Sequence, residues 1–248
     1  MEVRGVTVLD DEMFIVRRFS SEVEVYDSNN FTLKRNIEVN TLRRPYDLTS
    51  CGKFRCLYIT DFITETVQRV ELNGKTIKWH VKETPVGLSV TSAPNYNVIV
   101  TCLNARKLIE FTTRGDLVRE ILLPRDVVNQ LHAILFNDQF LVCQGEWSHP
   151  SHRVCVVDST DRVTRSYGEQ RGSAKGQLLI PRHLAVDTDG NILVADYGNK
   201  RIVTLGPDLT DVRELVDVSG RPSRLCFSGR RLYVTDESFC TVRIFEEV

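Results

Sequence analysis

Pro181-Arg182-His183-Leu184-Ala185-Val186-Asp187-Thr188-Asp189-Gly190-Asn191-Ile192-Leu193-Val194-Ala195-Asp196 is the stretch that decides the fold. Two short apolar, β-branched runs, Leu184 to Val186 and Ile192 to Ala195, flank Asp189-Gly190, a dipeptide that tight hairpins favour. A third alternating run, Ile202-Val203-Thr204-Leu205, follows, and then a more polar one, Val212 to Val218. The stretch therefore reads as one unit of four short strands.

The unit recurs. Phe14-Ile15-Val16, Tyr58-Ile59-Thr60-Asp61, Ile99-Val100-Thr101, Leu141-Val142-Cys143, Leu193-Val194-Ala195-Asp196 and Tyr233-Val234-Thr235-Asp236 share one pattern. Aligning Val16, Ile59, Val100, Val142, Val194 and Val234 gives steps of 43, 41, 42, 52 and 40 residues. Each copy follows a turn rich in Asp, Asn or Gly and precedes a third alternating strand. No sustained 3.6-residue apolar period occurs. Four-strand units of about 42 residues are what a propeller blade requires, and each is too small to bury its own sheet faces without neighbours. The expected fold is an all-β, six-bladed β-propeller filling residues 1–248 as one domain. Its blades are expected near 1–40, 41–82, 83–124, 125–170, 171–218 and 219–248.

The chain ends three strands into the sixth unit, at Ile244-Phe245-Glu246-Glu247-Val248. Two expectations follow: residues upstream in a longer protein supply the missing outer strand, or blade six keeps an open edge.

Formal net charge is −1, from 32 Lys and Arg against 33 Asp and Glu, so electrostatic partner choice must come from one face. No apolar run is long enough to span a bilayer, and no secretory leader follows Met1, so a cytoplasmic protein with no membrane partner is expected. The seven cysteines are an odd number without metal-finger spacing. Most sit inside strand patterns, where a reduced thiol acts as a small hydrophobe. Cys51 and Cys56 flank a turn and are placed to meet across a hairpin.

The segment Pro181 to Ile202 resembles an NHL repeat, following P-x-x-[IL]-A-V-D…G-N-[IL]-x-V-A-D…N-x-R-I over most of one blade. Gly168, Gly172, Gly176 and Gln177 before it resemble that family's glycine-rich leading loop. Weaker copies begin at Pro45, Pro85 and Pro222, while blades one and four lack the proline. The resemblance implies likeness to the C-terminal domains of tripartite-motif proteins, which bind RNA or protein through one face of the disc. No RING, B-box or coiled coil accompanies the repeats here. Ligase activity would therefore lie outside this chain.

Related propellers that cleave amidated peptides place zinc-binding histidines just after the blade-leading prolines. Here those positions are Arg4, Tyr46, Val86, Leu131, Arg182 and Ser223, and none is His. His132 and His183 lie one residue further on, where strand alternation is expected to turn them away. Calcium-dependent, lactonase-like propellers gather carboxylates in the channel, and Asp47 is the one carboxylate at such a position. Asp61, Asp196 and Asp236 read as turn acceptors or as partners of Arg69, Arg201 and Arg243. No GxSxG, GxxxxGK[ST], HExxH or GxGxxG string occurs. The expectation is a binding module with no catalytic residue, metal, cofactor or small-molecule substrate, and a metal-dependent propeller enzyme is the alternative.

The expected ligand-binding residues lie on the rim shared by the starts of first strands and the loops between second and third strands. They are Arg4, Arg18, Arg44, Tyr46, Phe62, Trp147, His149, His152, Arg171, Arg182, Tyr197 and Lys200. Cations interleaved with aromatics hold phosphates while bases stack, the chemistry of single-stranded RNA recognition. The same mixture serves protein hot spots, so the expected partner is single-stranded RNA or a protein segment.

Overall fold

The computed structural model describes residues 1–246, and over 213–216 the backbone alone. Six antiparallel sheets succeed one another along the chain, five with four strands and the last with three. The fold is the six-bladed propeller expected from the repeat. Its first strands are Val3–Leu9, Pro45–Cys51, Pro85–Val90, Gln130–Phe136, Pro181–Val186 and Pro222–Ser228. Each packs against the first strands of the adjacent blades, and contact between Val3–Leu9 and Pro222–Ser228 closes the ring. Among the described residues the one helical element is a 3-10 turn, Tyr197–Asn199, and no helix is long and apolar enough to cross a membrane.

The core lies between sheets. Phe14, Val23 and Val25 of blade one pack with Leu48, Leu57 and Ile59 of blade two. Leu141, Cys143 and Val154 of blade four likewise meet Leu184, Ile192 and Val194 of blade five. Each such side chain contributes about 1.5–3 kcal/mol by leaving water, which no blade could achieve alone. Local turn chemistry sets the register. Asn137 and Asp138 both take positive φ, 49° and 59°, as a two-residue hairpin needs, and Gly190 takes φ 81° within the longer turn 187–191.

Two details differ from the sequence reading or refine it. Gly5 faces Val16 as Asp47 faces Thr60, so Ile15 and not Val16 is the residue equivalent to Ile59. Adjacent apolar residues on a strand buried on both faces hide this one-residue offset. Cys51 and Cys56 do lie opposite one another across their hairpin, as two free, buried thiols.

Candidate functional site

Every first strand carries an irregularity directly after its first residue: the register breaks between Val3 and Gly5, Pro45 and Asp47, Gln130 and His132, and at the equivalent places in the other blades. Such a bulge re-aims the side chains that follow it. The expectation that His132 and His183 turn away is therefore corrected. The third residues of the six blades, Gly5, Asp47, Gly87, His132, His183 and Arg224, converge at the axis, and the four with side chains form a plug.

The plug is buried and closely bonded. Arg224 Nε donates to Asp47 Oδ1 at 2.9 Å, across the channel from blade six to blade two, and its Nη2 donates to the Tyr46 carbonyl at 3.1 Å. Asp47 Oδ2 accepts from the Leu88 amide of blade three at 2.8 Å. The His132 and His183 rings stack with centroids 3.7 Å apart. Each Nδ1 accepts a backbone amide from the next blade, Leu184 for His132 and Leu225 for His183, both at 3.3 Å. His132 Nε2 consequently carries the proton and donates to the Leu88 carbonyl at 2.9 Å. Burial holds both histidines below the ordinary imidazole range, His132 well below it, against the pull of Asp47. Burial opposes ionisation of Asp47, but the charge of Arg224 holds it far below the usual carboxylate range. The glycines make room: a Cβ on Gly87 would lie 2.7 Å from the Leu131 carbonyl and 3.1 Å from His132 Cα.

Asp47, His132 and His183 each offer a ligand atom within 4.8 Å of the others. The donor set does not fit a metal ion. Both nitrogens of His132 are engaged with backbone, and the Arg224 guanidinium supplies the positive charge that Asp47 requires. Beneath the plug a cavity of about 310 Å³, lined by Thr7, Thr49, Ser89, Ile134 and Phe227 among others, opens on the lower face.

Above the plug lie most of the sequence-expected residues. Tyr46 and Phe62 stack at 5.7 Å. The Arg4 and Arg224 guanidinium carbons stand 5.2 and 5.0 Å from the Tyr46 ring, and Arg44 lies 4.6 Å from Phe62 and 5.7 Å from Phe19. Arg18 covers the Phe19 ring at 4.9 Å, and Arg182 covers Tyr197 at 3.5 Å; Arg4 and Tyr197 are themselves buried and are corrected as surface contacts, supporting the face from beneath. Two carboxylates absent from the expected set join them. Glu2 pairs with Arg4 at 2.8 Å and Arg18 at 3.2 Å, while Glu237 pairs with Arg182 at 2.6 Å and Arg4 at 3.4 Å. Burial and a hydrogen bond with Glu237 raise the Glu2 carboxyl; burial opposes ionisation of Glu237, but its bond with Glu2 and the charge of Arg182 hold it at about 2. Phe19 follows Arg18 on the same rim. It is 57 % exposed with φ 62°, a backbone region in which a bulky residue is an outlier.

The remaining expected residues stand in a second group on blades four and five. Trp147 is exposed, and Arg171 donates to its carbonyl at 2.8 Å. His149 is half-buried, its Nδ1 accepting from the Ser151 amide at 3.1 Å. His152 is corrected as a surface contact: it is fully buried, with Nε2 on the Glu146 carbonyl and Nδ1 accepting from the Ile180 amide. Lys200 is exposed at the end of the 3-10 turn. Of the strand-end aspartates, Asp196 and Asp236 do pair with Arg201 and Arg243, both at 2.9 Å or less. Asp61 differs, accepting instead from the Arg43, Arg44, Ile63 and Thr64 amides.

A closed six-bladed propeller carrying an NHL repeat is the class these features define. The NHL repeat family matches over residues 178–205. No curated protein matches the sequence. Among solved structures, hydrazine synthase from Kuenenia stuttgartiensis is similar with a TM-score of 0.73 and 14 % identity, over 99 % of this chain and 95 % of that one. Virginiamycin B lyase from Staphylococcus aureus is similar at 0.70 and 15 %, over 99 % and 84 %. The Swd1 β-propeller domain from Myceliophteria thermophila is similar at 0.67 and 9 %, over 99 % and 84 %. At such identities the likeness is one of fold.

Proposed function

We propose that this chain is a non-enzymatic binding module whose upper face engages a single-stranded RNA segment. The observation that carries the reading is Arg44. It lies between the Phe19 and Phe62 rings and has no carboxylate partner among the described residues, so its guanidinium is available to a phosphate beside two stacking surfaces. Arg18 flanks the same exposed ring, and Arg221 lies 5.5 Å from Tyr197 further round the face. Glu2 and Glu237 neutralise Arg4, Arg18 and Arg182, which leaves Arg44 as the cation of this cluster that an added phosphate would meet.

The plug supports the non-enzymatic part of the reading: His132 has both nitrogens on backbone, His183 has Nδ1 on the Leu225 amide and Nε2 facing Asp47, and both rings are buried away from solvent. A propeller of this kind fits the C-terminal part of a larger, tripartite-motif-like protein working in a reducing compartment such as the cytoplasm. A protein segment is the second reading. It is favoured by Trp147, exposed on the loop beside Arg171, and by the carboxylates that already neutralise Arg4 and Arg182.

Titration of a fluorescent single-stranded oligonucleotide at several salt concentrations tests the proposal. For two or three engaged arginines, log affinity is expected to fall with log salt with a slope of about −1.4 to −2. Binding that ignores salt, or is unaltered by Arg44→Ala, transfers the face to the protein reading. Near-stoichiometric zinc or calcium in the purified protein overturns the non-enzymatic assignment.

A further inference from the structure

Blade six ends in an unpaired strand. In the other five blades the third strand is covered by a fourth, but Thr241–Glu246 has no neighbour on its outer side among the described residues. Beside it lies an apolar groove of about 480 Å³, walled by Val242 and Ile244 on one side and by Met13, Ile15, Tyr26 and Phe31 of blade one on the other. A row of open backbone donors and acceptors next to an apolar trough is a template for an added strand.

The five complete blades show what such a strand carries. The fourth-strand residue opposite the position equivalent to Ile244 is Arg35, Ile77, Arg119, Arg165 or Arg213. The blade itself holds three of these arginines: Arg35 on Glu12, Arg119 on Glu110 and Arg165 on Gln139. Two residues later comes a large apolar side chain in four blades: Ile37, Trp79, Ile121 and Tyr167, lying opposite Val23, Val67, Leu108 and Val154.

Blade six reverses the charge. At the position of Glu12 and Gln139 it has Arg231, whose guanidinium carbon stands 5.7 Å from the Phe31 ring at the groove wall, and which donates to the Ser28 carbonyl at 2.7 Å and pairs with the exposed Glu246 at 3.0 Å. Its third strand keeps the apolar pair, Val242 and Ile244. An arginine on the added strand would meet Arg231, whereas a carboxylate would complete the pairing that Glu12 and Arg35 make in blade one.

We propose that the open edge of blade six binds an extended segment of a partner polypeptide, antiparallel to Thr241–Glu246. That segment carries an acidic residue opposite Ile244 and a large apolar residue two positions later, opposite Val242. The site is separate from the upper-face cluster and independent of the RNA reading.

Peptides copying residues 30–40 provide the probe, because they are a fourth strand of this fold. The version with Arg35→Glu is expected to bind the 248-residue protein at least about tenfold more tightly than the unaltered sequence, and to slow amide exchange along 241–246. Arg231→Glu in the protein is expected to invert that preference in a variant that still unfolds cooperatively, having given up an exposed ion pair with Glu246 and a hydrogen bond to the Ser28 carbonyl. Replacing the peptide residue equivalent to Ile37 by Ser is expected to abolish binding. The proposal is overturned if both peptides bind equally, if the preference survives Arg231→Glu, or if 241–246 gains no protection at millimolar peptide. It is equally overturned if the edge is already occupied by a second copy of the chain, seen as a dimer that the peptides do not dissociate.

Discussion

Arg224 Nε donates to Asp47 Oδ1 at 2.9 Å although 177 residues separate them, so one ion pair ties blade six to blade two past blade one. Both side chains are almost wholly buried. Arg224→Met leaves a buried carboxylate without its counter-charge and is expected to destabilise the protein by about 3–5 kcal/mol in denaturant unfolding. Adding Asp47→Asn removes the stranded charge, so the double variant is expected to recover much of that loss.

The histidine pair sets an acid limit on stability. Both rings are kept neutral in the folded protein, while in the unfolded chain they protonate near the ordinary value of 6.5. The unfolded state therefore binds more protons below that pH, and stability is present above it and falls as pH drops. The limiting slope is about 1.4 kcal/mol per pH unit for each ring. Asp47 is depressed in the folded state, so its contribution persists until far more acid conditions and the histidines act first. Urea unfolding at pH 7 and pH 5 measures the difference, and His183→Gln is expected to reduce it.

Gly87→Ala tests how closely the inner strands approach. Its methyl group would press on the Leu131 carbonyl and on His132, both of which are backbone-fixed. A loss of about 1–3 kcal/mol is expected from thermal or chemical unfolding. Gly52→Ala, where the nearest atom is 3.9 Å away, is the control expected to change little.

Phe19 separates folding from binding. Its positive φ suits glycine, so Phe19→Gly is expected to alter stability by less than about 1 kcal/mol. The same change removes the exposed ring between Arg18 and Arg44 and is expected to weaken oligonucleotide binding by about 1–3 kcal/mol. Parallel melting and titration experiments decide whether the ring serves recognition.

Much of the ring was legible because hairpin chemistry is local. Asn137-Asp138 and Asp189-Gly190 announce their turns without help from the rest of the chain. The plug was not legible, because strand alternation gives no warning of a bulge, and the bulge is what carries His132 and His183 to the axis. A signal did exist: Asp47, His132, His183 and Arg224 are polar residues at one offset in four repeats, inside otherwise apolar runs. Glu2 was missed for a different reason, since its partner Glu237 belongs to the opposite end of the sequence and only ring closure brings them together. Trp147 and Phe19 are both exposed, yet only Phe19 shows backbone strain, and strain of this kind is invisible in residue type.

Because Arg224, Asp47 and the stacked imidazoles seal the axis, the disc is a partition and not a conduit. Whatever settles in the blind well beneath them cannot travel to the arginine-rich mouth above, and the two sides remain free to respond to different solutes at the same moment.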